Sequence, residues 1–117
     1  MYTIGIDLGG TNIVAGLVDE NYNIITTASV KTNLPREAKA IIDDMVMLCR
    51  KVVAQQGVSM DDVAYVGVGC PGTINSDLGV VEYSNNIKMK NVPMRAMLSE
   101  LLSIALICFS VTSASIL

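Results

Sequence analysis

Apolar residues dominate the first part of the chain and are interrupted by short polar turns. Residues 2–7, 12–18 and 23–30 have the length and composition of strands. The polar tetrapeptide Asp19-Glu20-Asn21-Tyr22 separates the second run from the third. A polar turn between two apolar runs favours a hairpin. The pattern therefore predicts that the chain opens with an antiparallel meander.

Helical periodicity follows the meander. Pro35 suits the first position of a helix and Gly57 suits its end, and apolar side chains between them recur at helical spacing. Residues 63–68 are mostly apolar, which is typical of a buried strand. Ser59 and Asp62 stand just before that run and predict the cap of a short helical turn.

The rest of the chain is predicted to form a small hairpin, a second helix and a last strand. Residues 70–91 are rich in turn formers and indicate a small hairpin with a surface loop. A second helix is predicted to begin near Pro93, and residues 104–111 are predicted to form a further buried strand. The resulting order, β-β-β-α-β-α-β, indicates an α/β domain with a mixed sheet.

Composition narrows the class of protein. The 117 residues are enough for one small domain with a core, and the hydrophobic fraction of 51% argues against disorder. The net charge of -3, without a long basic run, argues against nucleic-acid binding as the main task. The chain contains no histidine, which excludes histidine catalysis and histidine metal ligation by its own residues.

Cysteine usage and the two ends of the chain predict a cytoplasmic protein. Cys49, Cys70 and Cys108 are odd in number and widely spaced, which favours reduced, mostly buried thiols over a disulfide framework. The first residues lack the basic segment of a secretory signal. Residues 101–117 carry no charge, but they fall short of the roughly 20 apolar residues that a spanning helix needs. We interpret them as a buried strand and a tail, with a membrane anchor as the alternative.

The turn between the first two predicted strands is the strongest chemical signal. It reads Asp7-Leu8-Gly9-Gly10-Thr11. Glycines let the backbone approach a bulky anion, and successive N–H groups in such a turn form an anion-binding concavity. Thr11 adds a hydroxyl donor, and Asp7 could hold Mg²⁺ through water. The alternative is a tight hairpin that merely needs glycine, but the acid and the flanking strands favour a nucleotide phosphate site.

A second glycine pattern, Gly67-Val68-Gly69-Cys70-Pro71-Gly72, follows a predicted strand. A dinucleotide site would need a helix to open within it and an acid about 20 residues further on, and neither is expected here. We therefore predict that these glycines either form a tight turn or let the backbone approach a substrate at the end of a parallel strand. Asn85 and Asn86 suit a loop, although a carboxamide also suits a sugar hydroxyl.

Together these segments resemble the ROK family, a group of repressors and bacterial sugar kinases that includes glucokinases. The resemblance extends from residue 1 to about residue 102. It is carried by four stretches in order: Ile4-Gly5-Ile6-Asp7-Leu8-Gly9-Gly10-Thr11-Asn12, Val66-Gly67-Val68-Gly69-Cys70-Pro71-Gly72, Gly79-Val80-Val81 through Asn85-Asn86, and Lys90-Asn91-Val92-Pro93-Met94. The resemblance implies the N-terminal lobe of an actin-like ATPase (ribonuclease H-like) fold, in which two lobes hold ATP and a sugar between them.

The resemblance also implies roles for particular residues. The residues that it assigns to the ATP phosphates are Asp7, Gly9, Gly10, Thr11 and Asn12. It places Asp7 near Mg²⁺ and places Gly72 and Asn86 in the wall of the sugar pocket. The implied cofactors are ATP and Mg²⁺, the implied partner is a small sugar, and a homodimer is possible.

The end of the chain departs from the family pattern. The family has a strand ending in Glu-Asn-Asp, whose Asp takes the proton from the sugar hydroxyl, whereas residues 104–111 are followed here by Thr112-Ser113-Ala114-Ser115. No Asp or Glu follows Glu100, so no catalytic residue is assigned. We hypothesise that residues 1–117 are an N-terminal lobe that departs from the family over residues 103–117, through truncation, frameshift or an incomplete gene model.

Three functions follow as alternatives. The first is ATP-dependent phosphorylation of a hexose, glucose or an amino sugar, by a longer parent protein, with this chain inactive alone. The second is a non-catalytic module that binds a sugar or a nucleotide. The third is a sugar-responsive repressor, which the acidic charge and the absence of a preceding helix-turn-helix disfavour.

Overall fold

The computed structural model describes residues 1–111 and contains two sheets and two α-helices. The larger sheet has the strand order β3-β2-β1-β4-β8. Its strands are β1 (Tyr2–Leu8), β2 (Asn12–Val18), β3 (Ile24–Lys31), β4 (Val63–Cys70) and β8 (Ile107–Val111). The smaller sheet consists of β5 (Thr73–Asn75), β6 (Val80–Ser84) and β7 (Met89–Val92). The helices are α1 (Ala38–Gln56) and α2 (Met94–Leu102).

The strand directions confirm the predicted mixed sheet. β1, β2 and β3 pair antiparallel as the meander requires. β1 and β4 pair parallel, and so do β4 and β8. The chain must cross over between parallel neighbours, and α1 and α2 lie in these two crossovers. The central position of β1 joins the meander to the parallel half of the sheet.

One face of the larger sheet forms the core. Along β1 the buried residues Ile4, Ile6 and Leu8 alternate with Gly5 and Asp7, because successive side chains of a strand point to opposite faces. α1 packs on β2 and β3, and α2 packs against α1 and β8. Other fully buried side chains are Ile13, Leu17, Ile41, Met45, Leu48 and Val52. Burying one such side chain contributes about 1.5–3 kcal/mol.

The opposite face of the sheet is glycine-rich and borders a shallow groove of about 480 Å³. Gly5 on β1 pairs with Gly16 on β2 and with Gly67 on β4. A Cβ added at Gly5 or Gly67 would meet no atom within 4 Å in the described part of the chain. These glycines therefore leave room for another group to approach the sheet.

The start of the first helix differs from the prediction. α1 begins at Ala38 with Glu37 as its N-cap, not at Pro35. Arg36 explains the delay, because its guanidinium donates to the carbonyl of Thr32 and to the carboxylate of Asp44, which holds the residues before the helix as a connecting loop. The peptide bond before Pro35 is cis.

The end of the first helix and the cap that follows are confirmed. Gly57 adopts a left-handed conformation, with φ of 76°, and its N–H donates to the carbonyl of Ala54. Only a residue that tolerates positive φ closes a helix in this way at low cost. Ser59 and Asp62 form the predicted capping box around a short 3-10 turn at Met60–Asp62.

The second half contains more strand than was predicted. The expected hairpin is present as β5 and β6, but the predicted order omitted β7, whose ends Met89 and Val92 are buried. Lys88 and Asn91 have positive φ, which disturbs the alternation of buried and exposed side chains from which a strand is predicted. The last strand begins at Ile107 rather than at residue 104, because the turn after α2 extends through Ser103 in a left-handed conformation.

The cysteines are free, as predicted, and two of the three are buried. Cys49 and Cys70 are buried and Cys108 is exposed. Burial raises the pKa of the Cys49 and Cys70 thiols to about 12, so both remain protonated at neutral pH. Within residues 1–111 no helix is long and apolar enough to cross a membrane. The interpretation of the C-terminal tail concerns residues 112–117, which lie outside the described residues.

Two neighbouring positions on α1 test this packing. Leu48 is fully buried, whereas Met47 is 41% exposed. We expect Leu48→Ala to lower the free energy of unfolding by about 2–5 kcal/mol, because it leaves a cavity in the core. Met47→Ala should change it by less than about 1 kcal/mol. Urea denaturation followed by circular dichroism measures both, and equal losses would contradict the assignment of the buried face.

Candidate functional site

The turn between β1 and β2 forms the centre of the candidate site. The Gly9 N–H donates to the carbonyl of Asn12 at 3.0 Å and closes the turn. Gly9 is buried, whereas Gly10, Thr11 and Asn12 are exposed. In the described part of the chain, the N–H groups of Gly10 and Thr11 donate to no protein acceptor. The turn therefore offers two backbone donors and the Thr11 hydroxyl to an anion from solvent.

Thr32 holds this turn in place from beneath. The Thr32 hydroxyl donates to the carbonyl of Gly9 at 2.7 Å, and its N–H donates to the carbonyl of Thr11 at 2.9 Å. Thr32 is fully buried. No sequence pattern singled out Thr32. Its position follows from the β2–β3 register, in which Asn12 pairs with Lys31.

A polar chain extends from Thr32 to α1. Arg36 donates to the carbonyl of Thr32 at 3.1 Å and to the carboxylate of Asp44 at 2.7 Å. Arg36 and Asp44 form a half-buried ion pair. The turn is thus fixed through Thr32 to the loop before the helix and to the helix itself, which limits its freedom before any ligand binds.

Asp7 lies near the end of β1, beside the turn. Its backbone pairs with Val14 on one side and Gly69 on the other. Its Oδ1 atom is buried and accepts no hydrogen bond in the described part of the chain. Burial raises the pKa of the Asp7 carboxyl above its ordinary value of 3.8. An unpartnered buried carboxylate oxygen suits a cation or a hydrogen-bond donor supplied by a ligand.

The donor set fits magnesium better than a metal held by protein alone. Residues 1–111 contain no group of three or more Cys, Asp or Glu side chains that could enclose a metal. Mg²⁺ keeps several waters and is commonly bound by one or two carboxylates together with phosphate oxygens. Asp7 next to a turn with exposed backbone N–H donors matches that requirement.

Gly72 positions the second predicted segment. Its φ of 117° is unfavourable for residues with a side chain, and an added Cβ would lie 2.3 Å from the carbonyl oxygen of Tyr83. Glycine at this position therefore lets the chain after β4 pass directly against β6. Ser84 lies at the end of β6 and is buried. Its hydroxyl has no hydrogen-bond partner among the described residues.

The carbonyl of Asn86 lies beside Gly10 in the turn between β1 and β2. A Cβ added to Gly10 would lie 3.4 Å from the carbonyl oxygen of Asn86. The side chain of the neighbouring Asn85 instead accepts from the ammonium group of Lys88. The structure thus brings together Gly10 and Asn86, two residues far apart in sequence, and Gly72 packs on the strand that leads to Asn86.

The glycine pattern at residues 67–72 does not open a helix. β4 continues to Cys70, and the chain turns at Gly72 into β5. The prediction that no helix opens within this segment is therefore confirmed. The carboxylates of Asp61, Asp77 and Glu82 lie on exposed residues of this half of the chain.

The carboxyl end of β8 lies at the same edge of the sheet as the site. Gly69 pairs with Asp7 on one side and with Ser110 on the other, and β8 ends one residue later. The segment that was predicted to replace the family's acidic motif, Thr112 to Ser115, lies outside the described residues.

Sequence comparison identifies relatives of this chain. The model of the ROK family matches residues 3–110. A glucokinase from Streptomyces coelicolor is 35% identical over 94 residues, which cover 80% of this chain and 27% of that protein. The chain therefore spans about a quarter of the length of this relative.

Structural comparison agrees with the fold. The ROK family glucokinase from Streptomyces griseus, solved with glucose and AMPPNP, aligns with a TM-score of 0.81 and 29% identity, covering 94% of this chain and 33% of that one. A ROK family transcriptional regulator homologous to the E. coli MLC protein aligns at 0.79 with 11% identity over 94% of this chain and 27% of that one, which shows the fold alone. ROK sugar kinases have the actin-like ATPase fold, so the predicted fold class is confirmed.

Substitution of Thr32 tests the support of the turn. We expect Thr32→Val to lower the free energy of unfolding by about 1–3 kcal/mol, because the buried Gly9 carbonyl loses its donor. The Gly9 amide proton should also exchange faster in an NMR measurement. Thr32→Ser keeps the hydroxyl and is the matched control. Equal exchange rates at Gly9 in both variants would refute the role of the hydroxyl.

Substitution of Asp7 tests its burial. Because the folded-state pKa is raised, the charged carboxylate destabilises the fold at neutral pH, and this cost disappears as pH falls below 3.8. We therefore expect Asp7→Asn to have a higher melting temperature than the unsubstituted chain at about pH 7, with the difference shrinking towards about pH 3. Scanning calorimetry across this range measures it, and a difference that grows on acidification would contradict the shift.

Proposed function

This chain belongs to the ROK family, and we propose that it forms the phosphate-binding lobe of an ATP-dependent hexose kinase. The observation that carries the proposal is the contact between the two predicted segments, since the Asn86 carbonyl lies against Gly10 of the turn. A nucleotide on the turn and a sugar near Asn86 would then be neighbours, as transfer between them requires.

The nucleotide half of the proposal rests on the turn. The backbone N–H groups of Gly10 and Thr11, which donate to no acceptor within residues 1–111, and the Thr11 hydroxyl are donors for phosphate oxygens, with Asn12 following on the exposed side. Asp7 would hold Mg²⁺ through water, which would neutralise the desolvated carboxylate. A bound magnesium ion supplies charge neutralisation at the phosphates. The S. griseus relative, solved with AMPPNP, supports a nucleotide ligand.

The sugar half rests on Gly72 and Asn86. Asn86 is exposed, and a carboxamide both donates and accepts, which matches a sugar hydroxyl. Gly72 contributes through close packing that fixes the approach to Asn86. Glucose is the substrate that we favour, because the S. coelicolor relative is a glucokinase and the S. griseus structure contains glucose.

Transfer itself requires a group that this chain does not supply. The γ-phosphoryl group passes from ATP to a sugar hydroxyl, ADP leaves, and a base accepts the hydroxyl proton. Residues 101–117 contain no carboxylate, and a neutral serine is a poor base near pH 7. The family model matches as far as residue 110, so we propose that the predicted departure from the family pattern lies after that residue and that this chain alone binds its ligands without turnover.

Titration of the chain with AMPPNP and Mg²⁺ tests the nucleotide site. We expect saturable binding by calorimetry, weakened about tenfold or more by Gly10→Val, because the new side chain obstructs the donors beside Asn86. Gly5→Val is the matched control, since a Cβ there meets no atom within 4 Å. Asp7→Asn should remove the dependence on Mg²⁺. Absence of binding, or equal affinities for both glycine variants, would overturn the assignment.

A coupled assay of ADP release with glucose separates a kinase from a binding module. We expect binding without turnover from the 117-residue chain. If the chain turns over glucose and Gly10→Val abolishes that turnover, the reaction does not require the carboxylate of the family's acidic motif. Heat from glucose alone, without nucleotide binding, would favour a sugar-binding module instead.

A further inference from the structure

The guanidinium of Arg95 joins three segments where the two sheets meet. Its Nη2 atom donates to the carbonyl of Ser76 at 2.6 Å, and its Nη1 atom donates to the carbonyl of Asp77 at 2.9 Å. Its Nε atom donates to the carbonyl of Ile107 at 3.0 Å. Ser76 and Asp77 belong to the loop between β5 and β6, and Ile107 begins β8. Arg95 on α2 therefore ties the smaller sheet to the larger one.

The chemistry of arginine suits this position. Its planar guanidinium presents five donors in a fixed fork, so it reaches carbonyls on two sides at once. Hydrogen bonds from a charged donor are roughly twice as strong as neutral ones. The guanidinium of Arg95 also lies over the ring of Phe109, 5.6 Å from its centroid. Lysine would keep the charge but could not span the same carbonyls.

Gly79 permits the close approach of α2 to the loop. The N–H of Arg95 donates to the carbonyl of Gly79 at 3.0 Å. Gly79 has a φ of 69°, and an added Cβ would lie 2.3 Å from the Cβ of Arg95. A side chain at Gly79 would therefore push the helix and the loop apart. Gly79 and Arg95 act as one structural unit.

The loop held by Arg95 is continuous with the candidate sugar segment. β6 leads from this loop to Ser84, which is buried against Gly72. Two residues later the carbonyl of Asn86 meets Gly10 of the phosphate turn. The placement of the smaller sheet thus sets the distance between Asn86 and the turn.

We propose that Arg95 is a positioning residue that fixes the segment from Gly72 to Asn86 against the phosphate turn. This inference rests on the proposed function insofar as the segment binds a sugar. Arg95 touches neither ligand in this scheme. It acts by holding the smaller sheet in one orientation, so its loss reduces sugar affinity by increasing the freedom of Asn86.

The test compares Arg95→Ala with Arg50→Ala. Arg50 is a suitable control because its exposed guanidinium also donates to a carbonyl, that of Leu101 at 2.9 Å, and joins α1 to α2 away from the turn. Amide hydrogen exchange by NMR reports the order of residues 73–92, and titration with glucose in the same samples reports affinity. Urea denaturation gives the stability of each variant.

We expect Arg95→Ala to speed amide exchange in residues 73–92 by about tenfold or more while β1 and β2 stay protected. Glucose affinity should fall by about tenfold, whereas Arg50→Ala should keep it within about twofold. Arg95→Lys should show part of the same exchange effect, and it decides the matter if Arg95→Ala does not fold. Equal exchange in residues 73–92 for the Arg95 and Arg50 variants would overturn the proposal.

The two readouts separate this inference from the proposed function. If the unsubstituted chain does not bind glucose, the sugar half of the proposed function fails, and the exchange data alone decide whether Arg95 positions the segment. If glucose binds equally well to both arginine variants despite faster exchange in Arg95→Ala, the positioning role in sugar recognition is refuted.

Discussion

Parallel pairing between β1 and β4 is the constraint on which the rest of the structure depends. It joins the meander to the second half of the chain and places the carboxyl ends of β1, β4 and β8 at one edge of the larger sheet. Asp7 and Gly69 are direct neighbours at that edge. The turn that follows β1 therefore opens where the chain leaving β4 begins, and the two candidate segments meet there. Without this pairing, the turn after β1 and the chain after β4 would not lie next to each other.

The smaller sheet completes the site by close backbone packing. Gly72 lets β6 pass within a distance that any side chain would prevent, and a Cβ added at Gly10 would lie in contact with the Asn86 carbonyl. Arg95 then holds the far end of the smaller sheet through backbone carbonyls. The site is thus assembled largely from main-chain groups. Such a site depends on the relative position of its segments more than on the identity of its side chains.

The site also carries polar groups that oppose stability. The buried Oδ1 of Asp7 and the buried hydroxyl of Ser84 lack partners within the described residues. Leaving such groups unpaired costs free energy on folding, and the apolar core beneath the sheet offsets that cost. Thr32 shows the opposite case, since its buried hydroxyl is paired with the Gly9 carbonyl and stiffens the turn. A ligand that paired with Asp7 would recover part of the lost stability.

Elements and chemistry that depend on local pattern could be predicted from the amino-acid sequence. The meander, the C-terminus of α1 at Gly57, the capping box at Ser59 and the glycine turn are all encoded within a few residues. Local pattern was misleading at Pro35, where contacts from Arg36 delay the helix. It also missed β7, because Lys88 just before the strand and Asn91 within it have positive φ.

Tertiary structure alone decided which distant residues meet. Thr32 beneath the turn, the Asn86 carbonyl against Gly10 and the three carbonyls around Arg95 all depend on strand register and sheet packing. Each of these contacts includes a backbone group, which every residue type carries. The amino-acid type at that position therefore does not reveal the contact. The sequence could therefore indicate the groups that we propose for phosphate binding, whereas the fold determined what holds those groups in position.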